Sequence, residues 1–359
     1  MPFDNLVFNE DVNLPEKIIP KTRHGGDIVT FSKHYGVPVN QWLDLSTGLN
    51  PFAWSVPAIA QHIWEKLPQQ NNQLETIACR YYGCENLLAV AGSQMAIQLL
   101  PALYQQYGSP QRGRVAILAP SYSEHQHAWQ QAGYAVEAVC SDNINAIIAD
   151  TDVLVIVNPN NPTGEPFAVE QLLAWREQLS EKGGWLIVDE AFMDLTPQNS
   201  LAQYAHLSHL VVLRSFGKFF GLAGIRLGFV LANNSLLNQL KALLGPWPVS
   251  APAREIAQTA LADIRWQANT IKQLQTLSKQ LVCLLEAANL PISGQTGLFV
   301  WVKTPRAYNL FTAFAQQGIL VRYFAATDNA VSSLRFGLPK MEKDWERLKQ
   351  ALDSVSMPE

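Results

Sequence analysis

Charge, cysteine and long apolar runs are all scarce in this 359-residue chain. Asp, Glu, Lys and Arg together make up 16% of it, and the formal net charge is −4. No basic cluster interrupts that balance, which argues against nucleic acid and against an anionic membrane surface as partners. The 4 cysteines, Cys79, Cys84, Cys140 and Cys283, form no Cys-x-x-Cys pair. Such irregular spacing indicates neither a zinc site nor a disulfide framework, and the reading is of reduced cytoplasmic thiols packed as small hydrophobes. No apolar stretch approaches the roughly 20 residues of a membrane span. The opening segment, MPFDNLVFNEDVNLPEK, is acidic and broken by prolines, unlike a secretory leader.

What is present is an ordinary globular balance, with 48% hydrophobic residues. The length exceeds what one core organises comfortably and predicts two domains. Residues 1–40 are rich in Pro, Gly and charge and read as an N-terminal arm. A large domain is expected over 41–245 and a smaller one over 246–359, with the break at Gly245-Pro246-Trp247-Pro248. In the large domain, RVAILAP (114–120), TDVLVIVNP (151–159), GWLIVDEA (184–191), HLVVLRS (209–215) and RLGFVLA (226–232) read as strands separated by helices. Their near-continuous apolar character fits strands buried on both faces, hence an α/β fold with a mostly parallel sheet. The C-terminal part mixes a long helical stretch, 252–288, with short strands, and reads as a smaller α+β domain.

Chemistry-bearing residues fall at the ends of those strands, where open α/β sheets bind ligands. Ser215-Phe216-Gly217-Lys218 closes one strand, and Arg226 follows eight residues beyond Lys218. A deprotonated lysine there can form a Schiff base with an aldehyde, and Ser215 with Arg226 can hold a phosphate. Asp189 ends another strand; it reads either as a cap or as the partner of a pyridinium nitrogen. Asn158-Pro159-Asn160-Asn161-Pro162-Thr163-Gly164 is a turn by composition, with Asn161 able to reach a ring oxygen. Gly92, Ser93 and Gln94 precede a helical run and offer N–H groups and a hydroxyl to a phosphate. Tyr122 follows Pro120-Ser121 and can stack on a flat heterocycle or simply pack.

In order and spacing this set resembles the fold-type I pyridoxal-phosphate (PLP) enzymes, the aspartate aminotransferase superfamily, over roughly residues 40–340. The resemblance implies a PLP cofactor with Lys218 as the Schiff-base lysine, Asp189 on the pyridinium nitrogen and Asn161 on the 3′ oxygen. It implies Tyr122 against the ring, and Gly92, Ser93, Gln94, Ser215 and Arg226 around the phosphate. It makes Arg335, in Leu334-Arg335-Phe336, the clasp for the substrate α-carboxylate. Two places depart from the wider pattern: Phe192 stands where a tyrosine is usual, and Leu67-Pro68 where a Tyr-Pro pair reaches the second subunit. A homodimer is expected nonetheless. The superfamily also includes PLP-binding transcription regulators, but this composition leaves no room for their basic DNA-binding domain.

Within the superfamily, His24-Gly25-Gly26-Asp27, Leu43 through Pro51 (LDLSTGLNP), Tyr81-Tyr82-Gly83 and Asp189-Glu190-Ala191-Phe192 resemble the L-threonine-O-3-phosphate decarboxylases of cobalamin biosynthesis. The neighbouring alternative is an aminotransferase of the histidinol-phosphate type. The decarboxylase branch implies a small phosphorylated amino-acid substrate and an aminopropanol phosphate product. His24 with Gly25, and Arg322, are the expected holders of the substrate phosphate, with Lys33 and Arg23 as further options. Gly48 and Asn50 are expected to line the carboxylate end of the pocket.

Overall fold

The computed structural model describes residues 24–69, 73–108, 113–326 and 331–356. The first 23 residues of the expected arm, Arg23 among them, lie outside the described residues. The strands in chain order are β1 (Leu43–Asp44), β2 (Leu87–Val90), β3 (Arg114–Leu118), β4 (Ala135–Val139), β5 (Val153–Val157), β6 (Trp185–Asp189) and β7 (Leu210–Ser215). They continue with β8 (Gly228–Leu231), β9 (Gly294–Thr296), β10 (Phe299–Lys303), β11 (Ile319–Leu320), β12 (Arg322–Phe324) and β13 (Ser333–Gly337).

Seven strands form the main sheet in the order β2-β8-β7-β6-β5-β3-β4. The run β7-β6-β5-β3-β4 is parallel, whereas β8 is antiparallel to both its neighbours. Every residue of β5 and β6 is buried, as the unbroken apolar runs require. One side of the sheet carries Leu154, Ile156, Leu186 and Val188; the other carries Val153, Val155, Trp185 and Ile187. That division follows the two-residue period of a strand, and helices cover both faces.

A second, antiparallel sheet, β12-β13-β10-β9, lies in the C-terminal part. The packing does not follow the expected division of the chain at 41 and 246. Leu43 and Asp44 pair in parallel with Ile319 and Leu320, so β1 is tied to the C-terminal part. Conversely, helix Ala251–Ala262 packs on helix Gln73–Tyr82, where Arg254 grips Glu75 with two bonds of 2.9 and 2.7 Å. The prolines near 246 are therefore followed by a helix that still packs on the first part of the chain. The single long helix expected over 252–288 is broken at Asp263, which caps helix Ile264–Ala287 through Trp266 N–H at 3.0 Å. The same carboxylate takes a bond from Trp54 Nε1 at 3.1 Å.

Candidate active site

The carboxyl ends of β3, β5, β6 and β7 converge on one cavity of about 110 Å³. Gly92, Ser93, Gln94, Tyr122, Asn161, Asp189, Ser215, Lys218 and Arg226 all line it, so all nine residues expected at the cofactor are brought together.

Lys218 sits on the short helix Phe216–Phe219 that follows β7. Burial, then the positive charge of Arg335, pull its amine down to about 8; Asp189 opposes them and Arg226 adds to them. A lysine in that state has far more free amine near neutrality than an ordinary lysine, and the free amine can attack an aldehyde. Its turn is braced from a distance in sequence. Asn50 N–H donates to Lys218 O at 3.0 Å, its Nδ2 donates to Phe219 O at 2.8 Å, and its Oδ1 accepts from Phe52 N–H at 2.8 Å. Asn50, expected at the carboxylate end of the pocket, is thus a backbone brace for the Lys218 turn, with one Nδ2 donor and one Oδ1 acceptor bond committed to it. Leu49 lines the cavity in its place. Gly48 has no space for a side chain, since a Cβ there would lie 2.9 Å from the Phe192 ring. Phe192 in turn faces the Lys218 amine, 5.6 Å from ring centre to Nζ.

Asp189 ends β6 and is buried. Its Oδ1 accepts Ala191 N–H at 3.1 Å and its Oδ2 lies 2.9 Å from His125 Nε2. His125 comes from helix Ser123–Gln131 and is itself buried. A carboxylate fixed by two donors at the bottom of a cavity presents its remaining lone pairs to a cation.

The phosphate end is built from backbone. Ser93 opens helix Ser93–Tyr107, and this helix N-terminus, Gly92 to Gln94, lines the cavity. Arg226, in left-handed conformation at φ 54°, lays its guanidinium against Gly92; a Cβ at 92 would stand 2.8 Å from Nη2. This cradle, empty of side-chain carbon and rimmed by N–H groups and a guanidinium, fits a phosphate. The Gln94 side chain takes a bond from Tyr122 Oη at 3.1 Å and gives one to Glu124 at 2.9 Å.

On the substrate side, Arg335 donates through Nη1 to Asn161 Oδ1 and through Nη2 to Ser46 O at 2.7 Å, with its face over Phe299. Its Nε is buried without a bond. Burial and then the neighbouring Arg322 destabilise the Arg335 charge, while Asp44 only partly offsets them. The guanidinium is therefore a cation in want of an anion. Burial likewise lowers Arg322. His24 does reach the site, with its ring 5.7 Å from Tyr122, but its Nε2 is tied to Glu124 at 3.0 Å. The carboxylate weakens it as a phosphate donor. Gly25 packs against Ser46, where a Cβ would lie 2.3 Å from the carbonyl oxygen, and Gly26 N–H binds Ser46 Oγ at 2.8 Å. These contacts fix the loop that supplies Ser46 O to Arg335.

Sequence reasoning missed His125, Glu124 and Ser46. The Tyr122–Ser123–Glu124–His125 run was visible, but only the fold shows that the helix turns His125 back under Asp189. It also missed a buried ion cluster under the site, in which Arg214 meets Glu190 at 2.9 Å and Asp194 at 3.1 Å, and Tyr81 Oη donates to Asp194 at 2.9 Å. Among the described residues no group of three metal-ligating side chains occurs.

A buried low-pKa lysine, a pinned carboxylate and a helix-end phosphate cradle on one open α/β sheet define a PLP enzyme of fold type I. The chain belongs to the aminotransferase class I and II family, which it matches over residues 42–355. It is 46% identical over 335 residues to the threonine-phosphate decarboxylase of Pseudomonas aeruginosa, covering 93% of this chain and 98% of the relative. It is 40% identical over 340 residues to the threonine-phosphate decarboxylase of a Sinorhizobium species, again with 93% and 98% covered. Among solved structures, histidinol-phosphate aminotransferase from Sinorhizobium meliloti in complex with pyridoxal-5′-phosphate superposes with a TM-score of 0.78 at 17% identity, covering 97% of this chain and 98% of that one.

Proposed function

We propose that the protein decarboxylates L-threonine O-3-phosphate to (R)-1-amino-2-propanol phosphate, in the assembly of the cobalamin nucleotide loop. The observation that carries this reading is the pair Arg322 and Arg335, which face each other across β12 and β13 beside the cofactor cavity. Two adjacent guanidiniums suit a substrate with two anionic ends, a carboxylate and a phosphate. The kinship with threonine-phosphate decarboxylases supports the choice of reaction.

In this reading Gly92, Ser93, Gln94, Ser215 and Arg226 hold the cofactor phosphate. Asp189 faces the pyridine nitrogen, Asn161 offers its Nδ2 to the 3′ oxygen, and Tyr122 covers the ring. PLP, when bound, supplies the electron sink for the bond that breaks. Arg335 binds the substrate carboxylate, and Arg322 binds the phosphate with secondary help from His24 and Gly25. Anchoring both ends fixes which bond at Cα stands perpendicular to the ring plane, and that bond is the one broken. With the carboxylate held there, CO₂ would leave and Lys218, in its ammonium form, would deliver a proton to Cα. With hydrogen held there, Lys218 would remove it and the outcome would be transamination.

Product analysis separates the two. Incubation with threonine phosphate is expected to release one CO₂ per amine product. Formation of keto acid, with glutamate made from 2-oxoglutarate, would instead make the enzyme an aminotransferase of the histidinol-phosphate type. A homodimer is part of the proposal, supported by the exposed Trp64, Leu67 and Trp247. So is a cytoplasmic location, supported by four free cysteines. Among the described residues, no helix is long and apolar enough to cross a membrane.

A further inference from the structure

Helix Gln73–Tyr82 ends on Gly83, whose φ of 70° is left-handed. Two backbone donors then close on one carbonyl. Gly83 N–H reaches Cys79 O at 2.9 Å, and Cys84 N–H reaches the same oxygen at 3.1 Å. This is the helix-ending arrangement in which the residue two past the helix returns to the last turn, and the side chains at its two ends come into contact. Here both of those side chains are thiols. Cys79 and Cys84 are each free and half-buried, and the Cys79 thiol donates to Glu85 O at 3.6 Å, one residue beyond Cys84. Both open onto a groove of about 620 Å³ that Arg80 and Lys241 also line. Neither cysteine touches the active-site cavity.

We propose that Cys79 and Cys84 are a reversible dithiol–disulfide pair, oxidised by low-molecular-weight disulfides of the glutathione type. The helix end has already closed the loop between them, so ring closure costs little further chain entropy. The neighbouring Cys84 side chain lowers the Cys79 thiol and favours it as the attacking thiolate, with burial and then Glu75 working against it. The open groove gives a small disulfide access.

The exchange balances as follows. Cys79 loses its proton, and its thiolate attacks one sulfur of the small disulfide. A mixed disulfide forms and one small thiolate leaves, taking up that proton. Cys84 then loses its proton and attacks Cys79 Sγ. The intramolecular disulfide forms, and the second small thiolate leaves and is protonated. The protein pair gives up two electrons and the small disulfide accepts them.

The test uses the full-length, PLP-loaded protein incubated in graded mixtures of reduced and oxidised glutathione. Free thiols are then quenched with an alkylating reagent, and the protein is digested with trypsin and mapped by mass. Arg80 lies between the two cysteines, so cleavage there leaves two peptides that remain together only if the disulfide formed. The expected result is that linked pair, lighter by two hydrogens than the two reduced peptides together. It should appear at a lower oxidised-to-reduced ratio than modification of the exposed Cys140 or Cys283 and be reversed by dithiothreitol. In Cys84→Ser, glutathione should instead accumulate on Cys79. The proposal is overturned if Cys79 and Cys84 stay alkylated while Cys140 and Cys283 take up glutathione. It is equally overturned if unsubstituted protein retains glutathione on Cys79. Both outcomes are read on unsubstituted protein, so the result does not depend on the variant folding.

Discussion

Arg322 on β12 and Arg335 on β13 are direct register partners in an antiparallel pair, so their side chains leave the sheet on the same face. Like charges in that position repel, and each guanidinium is further destabilised by burial. Phe324 lies under the Arg322 guanidinium and Asp44 supports the Arg335 charge, but the repulsion and the burial act on both. An anionic ligand favours such a pair, because it relieves both costs at once.

The two arginines should separate in mutant kinetics. Arg335→Ala removes the carboxylate clasp and should lower kcat/KM for threonine phosphate and threonine alike, by roughly 10²-fold or more, the usual loss for a buried charge-assisted partner. Arg322→Ala should reduce use of threonine phosphate and leave threonine nearly untouched. The unsubstituted enzyme should favour the phosphorylated substrate by on the order of 10⁴-fold, as sites built to hydrogen-bond a group do. Equal losses for both substrates in Arg322→Ala would remove Arg322 from the phosphate site.

Lys218 should show its depressed basicity in the pH dependence of cofactor capture. Attack on the aldehyde needs the unprotonated amine, and the folded-state value of about 8 lies below that of an ordinary lysine. The rate of covalent PLP attachment to the apoenzyme should therefore rise with pH and level off just above that value. A rise continuing well past it would show an unperturbed lysine. Lys218→Ala should retain PLP without attaching it, and borohydride reduction should label no other peptide.

The sequence disclosed the site more fully than the fold around it. Lys218, Asp189, Asn161 and Tyr122 each follow a strand whose apolar run is continuous, so strand and site residue were legible together. Partners supplied by distant segments were not. Asn50 reads in the sequence as a pocket residue, and only the fold shows its amide bracing the turn 169 positions away. The antiparallel direction of β8 leaves no mark in RLGFVLA, because a buried strand is apolar whichever way it runs. The prolines near 246 announce a turn, but nothing in the sequence shows that the helix after them packs backward through Arg254 and Glu75.

The ion cluster under the site should be costly to break. Arg214 is buried between Glu190 and Asp194, with Tyr82 against its guanidinium at 4.6 Å. Arg214→Met leaves two buried carboxylates without their cation and should cost about 3–5 kcal/mol, read as a fall in the denaturant midpoint. A loss under about 1 kcal/mol would mean that the carboxylates are rescued by protonation or water.

The pairing of His125 with Asp189 gives the last prediction, because it separates holding the carboxylate from being the carboxylate. Asp189→Ala removes the anion that keeps the pyridine nitrogen protonated, so turnover should fall far more than PLP retention, by roughly 10²-fold or more. His125 stands behind the cavity wall against Asp189 and the edge of Tyr122, and with Nε2 protonated it donates the 2.9 Å bond that orients Oδ2. His125→Leu should lower turnover by a smaller factor, with KM nearly constant and the visible absorption of bound PLP shifted. His125→Gln, which can still donate, should recover part of both. A purely packing role predicts otherwise: Leu would be the milder change, since it leaves no polar group in the buried space, and the spectrum would stay fixed. Turnover, KM and absorption spectra measured on the three variants decide between these outcomes.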